Sequence, residues 1–133
     1  MAVLTRNEHC PPHVHVGSAQ WEARFEFSFS HNGVRLWDVL PVHKQPTVTV
    51  LEGLRLALKK PANLHRARAC WWASAQSVCL VNQCWDGVAQ TVVAPQGKHM
   101  PGRALIESAS FDVQRYRTIL QLKGASSPVE IEL

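Results

Sequence analysis

Three histidines and a cysteine stand close together near the start of the chain, in the stretch EHCPPHVHV at residues 8 to 16. Side chains two positions apart share a face of a β-strand, so strand geometry places His13 and His15 side by side. Two neutral imidazoles can bind zinc, copper, nickel or iron. A positioned imidazole can also transfer protons without any metal. The stretch therefore predicts a metal site or an acid/base site.

A catalytic metal site needs a third protein ligand and an open position for water. The spacing does not choose among the polar residues that could supply this ligand, which are His9, Cys10, Glu22, His31 and Asp38.

We predict catalytic roles for His13, His15 and Glu22. A divalent transition metal, if one is bound, is expected on His9, His13 and His15, and no other cofactor is indicated. In the alternative interpretation, Pro11-Pro12 stiffens the chain ahead of an edge strand, and the histidines face solvent or form local hydrogen bonds.

A hairpin is the first element predicted to hold these side chains. WEARFEFSFS alternates phenylalanines with polar residues, the period of two that a half-buried strand requires. Asn32-Gly33 follows between two apolar runs and favours a type I′ turn. The pattern predicts a hairpin with arms near 22–30 and 34–40.

After Pro41 the apolar residues recur at helical spacing, which predicts a helix ending near Lys59-Lys60 and a second one opened by Pro61. Strand-like runs return at GVAQTVVA, ALIESASFDV, RYRTILQL and VEIEL. The predicted order is β-β-α-α-β-β-β. We expect one α+β domain over residues 1–133, an antiparallel sheet with an N-terminal hairpin, two central helices on one face and C-terminal strands.

Composition narrows the class of protein. The 133 residues are 46% hydrophobic and carry a net charge of +4, which permits an acidic partner without requiring one. The first residues lack a signal-peptide core, and no apolar run could cross a bilayer. We expect a cytoplasmic protein without a membrane partner. Its four cysteines contain no CxxC pair and are expected to be free thiols.

Cationic side chains gather where the two helices meet, beside a pair of adjacent tryptophans. A nucleic-acid or partner surface could use these residues together with two arginines further on, and the set is Lys59, Lys60, Arg66, Arg68, Trp72, Arg115 and Arg117. In the alternative interpretation, these cationic side chains belong to an outer face that only solvent contacts.

Adjacent helical positions point about 100° apart, so Trp71 and Trp72 cannot both be deeply buried. A homodimer contact is the simplest use of the exposed ring. Trp21, Trp37 and Trp85 are expected in the core.

Residues 8 to 40 resemble the DUF4160 family of small bacterial proteins of unknown function. Members open with an acidic residue, a histidine and PPH-x-H, followed by a strand containing EAR. The matching residues are Glu8-His9, Pro11-Pro12-His13, His15-Val16 and Glu22-Ala23-Arg24. The insert SFSHNGVRLWDV is longer than the family pattern.

The C-terminal stretch from Ala104 is faintly similar to the opening strands of a second small family, DUF2442. Genes of the two families often lie together in pairs that look like toxin–antitoxin modules on mobile elements. The resemblance thus implies a genetic context for this protein more than a reaction mechanism.

Three functional hypotheses follow. The first is a binding or regulatory module of the toxin–antitoxin or mobile-element type, acting through protein–protein contacts as a homodimer or with a cognate partner, and with nucleic acid as a less favoured ligand. The second is a small hydrolase or nuclease that uses His13 and His15 with a metal or as acid and base. The third is a cassette-borne dimer that binds a small ligand.

Overall fold

The computed structural model describes residues 9–95 and 102–133. Within them lie two α-helices and eight β-strands, arranged in two antiparallel sheets of three and five strands. The predicted α+β class is confirmed, although the strands form two sheets where one was expected. The chain divides into two compact units, Met1–Gln76 and Ser77–Leu133.

The first unit begins with a three-stranded sheet in which consecutive strands are neighbours. The strands are β1 (His13–Gly17), β2 (Glu22–Glu26) and β3 (Arg35–Leu40). Val14, Phe25 and Ala23 are fully buried on one side of this sheet. Because side chains alternate along a strand, the polar residues between them face the other side. The alternation of the sequence therefore creates one apolar and one polar face.

The hairpin between β2 and β3 is confirmed, but the predicted type I′ turn is wrong. Neither Asn32 nor Gly33 has a positive φ, which a type I′ turn requires at both central residues. Arg68 donates instead from Nη2 to the His31 carbonyl at 2.8 Å and to Asn32 Oδ1 at 2.9 Å, and from Nε to the Ser28 carbonyl at 2.9 Å. The buried guanidinium of Arg68 thus holds the connection between β2 and β3 as a loop that is longer than the predicted two-residue turn.

Two helices follow the sheet, α1 (Val48–Lys59) and α2 (Pro61–Ala75). Thr47 caps α1 by accepting a hydrogen bond from the Val50 N–H at 3.3 Å. Pro61 is the first residue of α2, as predicted. The Ala57 carbonyl near the end of α1 accepts from the Lys60 N–H at 3.3 Å and from the Asn63 side chain at 2.7 Å.

The apolar sides of both helices are buried, and the residues concerned are Leu51, Leu58, Leu64, Ala67 and Trp71. Trp71 contacts the ring of Phe27, with 6.3 Å between ring centroids. Neither α1 nor α2, the helices in the described part of the chain, is long and apolar enough to cross a membrane.

The second unit contains a five-stranded antiparallel sheet with the order β5-β4-β6-β7-β8. Its strands are β4 (Cys84–Asp86), β5 (Thr91–Val93), β6 (Arg103–Asp112), β7 (Arg117–Leu122) and β8 (Val129–Glu132). Ile106, Phe111, Leu120 and Trp85 are buried. Residues 77–83, between α2 and β4, form neither helix nor strand.

The cysteines divide into two kinds. In the first unit Cys70 is a free thiol and Cys10 is disulfide-bonded. In the second, Cys84 is free and Cys79 is disulfide-bonded. The prediction of four free thiols is therefore wrong at Cys10 and Cys79, because cysteine spacing alone does not reveal which thiols become oxidised.

Candidate functional site

The polar face of the three-stranded sheet carries the side chains that could bind a ligand or transfer a proton. The strand register aligns His15 with Arg24, and Arg24 with Asp38. Glu22 lies two residues before Arg24 on the same face, opposite Leu40. These five side chains line an open hollow of about 190 Å³, which we call the β1–β3 hollow.

His15 and Glu22 form one pair in the hollow. The Nδ1 atom of His15 is hydrogen-bonded to Oε1 of Glu22. The side chain of Glu22 is 52% exposed and that of His15 is 16% exposed. The structure thus brings together two of the three residues predicted to be catalytic, at a place that solvent can reach. Their catalytic roles stay a prediction.

Arg24 and Asp38 form the second pair. Arg24 donates from Nε to Oδ1 of Asp38 at 2.7 Å and from Nη2 to Oδ2. This fork holds the pKa of the Asp38 carboxyl below its usual range, and the opposing effect of partial burial is smaller. Asp38 is therefore ionised at neutral pH.

Trp37 lies beside this ion pair. The register between β2 and β3 shifts between Arg24 and Phe25, which pair with Asp38 and Leu36. Trp37 is the extra residue of the resulting β-bulge, and it is 40% exposed. The expectation that Trp37 is buried is wrong, because a regular alternation does not reveal a bulge.

Trp37 is held from two directions. The Arg24 guanidinium carbon lies 4.3 Å from the Trp37 ring centroid, a cation–π contact. His13 meets the same ring edge-on, with 5.1 Å between the ring centroids. The indole is thus fixed in place although much of it faces solvent.

His13 has a structural environment. It is only 2% exposed, and its ring centroid lies 5.1 Å from that of His15 and 5.4 Å from that of Trp71. Its Nδ1 lies 2.8 Å from the Pro11 carbonyl oxygen, so Nδ1 donates and carries the proton. The two histidines are neighbours as predicted, and His13 is a buried side chain that forms a local hydrogen bond.

The three predicted metal ligands do not form one group, although His13 and His15 are neighbours. Across residues 9–95 and 102–133, no three His, Cys, Asp or Glu side chains form a group that could hold a metal ion. His9, predicted to join His13 and His15, is exposed.

The predicted basic surface keeps only some of its members. Lys59, Lys60 and Arg66 are exposed near the helix junction, and Trp72 is partly exposed. Arg68 is 1% exposed. Its assignment to a surface is wrong, because its guanidinium hydrogen-bonds the loop between β2 and β3.

The second basic group is neutralised by carboxylates. Arg115 lies in the turn before β7 and not on the strand, which corrects the predicted placement, and Arg117 begins the strand. Glu130 forms ion pairs with Arg115 at 3.2 Å and with Arg117 at 3.1 Å, and Glu132 pairs with Arg117 at 3.3 Å. Because Glu130 and Glu132 of β8 balance the charges of these two arginines, the group offers little net positive charge to a nucleic acid.

No family model, curated protein or solved structure matches this chain. The resemblance of residues 8 to 40 to DUF4160 therefore stays a prediction. Sequence reasoning missed Arg24 and Trp37 as site residues. The position of Arg24 two residues after Glu22 was the available signal, since it places both on one strand face.

Proposed function

We propose that this protein is a small binding or regulatory module that acts through protein–protein contacts on the polar face of its three-stranded sheet. The exposed indole of Trp37 is the observation that carries this proposal. Trp37 is 40% exposed on β3, an edge strand, and Leu40 on the same strand is 53% exposed. Tryptophan and arginine are enriched among the residues that dominate binding at protein interfaces.

The rigidity of Trp37 supports the same proposal. Contacts from Arg24 at 4.3 Å and from His13 at 5.1 Å restrict the ring before any partner arrives. A side chain that is already ordered loses less conformational entropy on binding, so more of its burial contributes to affinity.

The context that we propose is a toxin–antitoxin or mobile-element module, and it comes from the resemblance to DUF4160 and DUF2442. A homodimer or a cognate protein is the proposed partner. Nucleic acid is less favoured, because both arginines of the sheet face are paired, Arg24 with Asp38 and Arg35 with Glu26. Phosphate binding requires cations that can replace the counterions of a nucleic acid.

Sedimentation over a range of protein concentrations tests the homodimer form of this proposal. We expect a concentration-dependent dimer that Trp37→Ala weakens. Val88→Ala is the matched control, since Val88 is 87% exposed in the second unit and its truncation also removes exposed apolar surface. Equal dimerisation of the Trp37→Ala variant would contradict a dimer formed through this face.

A second candidate function is acid/base hydrolysis, which the contact between His15 and Glu22 favours. A carboxylate that hydrogen-bonds one ring nitrogen orients the imidazole and stabilises its protonated form. His15 would act as the acid or base and Glu22 as the residue that positions it. The metal-free form is favoured over the metal-dependent one, because a third ligand does not join His15 and Glu22 among the described residues.

Hydrolysis of a p-nitrophenyl ester and of bis(p-nitrophenyl) phosphate tests this second candidate. Under it, the purified protein accelerates one of these reactions, His15→Ala abolishes the acceleration, and Glu22→Gln reduces it. A rate that is the same in the wild type and in His15→Ala would exclude an acid/base role for that imidazole with these substrates.

We propose the cytoplasm as the location. Cytoplasmic thiols are normally kept reduced, and the disulfide-bonded state of Cys10 opposes this location. Alkylation of thiols in intact cells distinguishes the cytoplasm from an oxidising compartment. Modified Cys10 is expected in the cytoplasm, and protected Cys10 would favour an oxidising compartment.

A further inference from the structure

We infer that the β1–β3 hollow accepts the cationic side chain of a lysine or arginine carried by a protein partner. This inference deepens the function proposed above and rests on it. It gives the partner a chemical property that can be tested before the partner is identified.

The charges of the hollow carry the inference. Two carboxylates, Glu22 and Asp38, line it together with one guanidinium, that of Arg24. Asp38 is neutralised by the fork from Arg24. Glu22 is hydrogen-bonded through Oε1 to the Nδ1 atom of His15. The lining therefore carries two carboxylates against one guanidinium, and the carboxylate that Arg24 does not neutralise is on Glu22, whose side chain is 52% exposed.

The shape of the hollow fits a long cationic side chain. Its volume is about 190 Å³. Leu40 lines the hollow and is 53% exposed. Lysine and arginine bury their methylene groups along apolar surface while the charged end reaches a polar partner. Leu40 can receive the methylenes and Glu22 the charge.

Other ligands fit less well. A phosphate or a carboxylate would meet both Glu22 and Asp38, and the cation that could attract it, Arg24, already pairs with Asp38. A purely apolar side chain would leave the carboxylate of Glu22 facing a surface from which water is excluded, which is unfavourable. Charge complementarity therefore selects a cation.

Titration with capped amino acids, followed by NMR, tests the inference on the full chain. The probes are N-acetyl-lysine N-methylamide, its arginine equivalent, and the norleucine equivalent, which keeps the methylenes of lysine without the charge. We expect the lysine or arginine probe to shift the backbone amide of His15 and the indole N–H of Trp37 saturably. The norleucine probe is expected to shift neither.

Glu22→Gln should weaken the binding of the cationic probe by about fivefold, the upper range for an exposed ion pair. Glu107→Gln is the matched control, because Glu107 is exposed in the second unit and its replacement removes the same charge elsewhere. Both residues are exposed, so the amide spectra of both variants should stay those of a folded protein.

Equal binding of norleucine and lysine, no saturable shift with any probe, or unchanged affinity in Glu22→Gln would each overturn the inference. Its failure is distinguishable from failure of the proposed function. If the probes do not bind while Trp37→Ala disrupts the dimer, the cation preference is wrong and the interface stands. If the lysine probe binds while no dimer forms, the hollow selects cations but does not join two copies.

Discussion

At the scale of single residues, the grouping of His15 with Glu22 on one strand face could be predicted from the sequence, whereas the burial of His13 could not. His15 and Glu22 could be grouped because strand alternation and polarity place them on one face. The burial of His13 depends on Trp71, which comes from a helix far along the chain. A contact between residues so far apart in the chain cannot be predicted from the local sequence pattern.

Arg68 provides the first prediction at this scale. It is buried and donates to two loop carbonyls, those of Ser28 and His31. Arg68→Met keeps the apolar stem and leaves the acceptors without their charged donor, so the free energy of unfolding should fall by about 3 kcal/mol in urea denaturation. Arg66→Met, on the exposed neighbour, should change it by less than ~0.5 kcal/mol. Equal effects would show that the loop does not depend on this guanidinium.

Asp38 provides a second prediction, in the pH dependence of stability. Its pKa in the folded protein is lowered by Arg24, so the unfolded chain binds the proton first as the pH falls. The stabilisation is complete above the unfolded pKa of about 3.9 and is lost as the pH falls through the folded value. The melting temperature should therefore fall less steeply in Asp38→Asn than in the wild type between about pH 5 and pH 2. Parallel curves would contradict the ion pair.

At the scale of elements, the helices were the most predictable part. The apolar spacing and Pro61 determined both helices and their junction, and the structure has them at Val48–Lys59 and Pro61–Ala75. The hairpin was predictable as a pairing of strands but not in its turn, because hydrogen bonds from Arg68 replaced the local preference of Asn32-Gly33. The bulge at Trp37 also escaped prediction, since one extra residue changes which side chains face out.

The N-cap of α1 gives the prediction at this scale. Thr47 accepts from the Val50 N–H, so Thr47→Ala should lower the free energy of unfolding by about 1 kcal/mol. Thr49→Ala makes the same chemical change inside the helix, where alanine is the better helix former, and should leave stability unchanged or slightly raised. Urea denaturation of both variants measures the difference, and equal losses would contradict the capping role of Thr47.

At the scale of the whole molecule, the single domain predicted for residues 1–133 can be tested by calorimetry. The chain divides into two compact units, and each has its own sheet. A single domain predicts one thermal transition in which the calorimetric and van't Hoff enthalpies agree. Two separate transitions, or a calorimetric enthalpy well above the van't Hoff value, would show that the units unfold independently.

We propose that the face of the sheet around Trp37 binds protein. Photo-crosslinking in cells tests it most directly, with benzoylphenylalanine introduced at position 37 and, as a control, at position 88. Binding through this face predicts that position 37 gives one defined adduct, either with a second copy of this chain or with a single other protein, and that position 88 gives none. The absence of an adduct from position 37, or the same adducts from both positions, would contradict the claim.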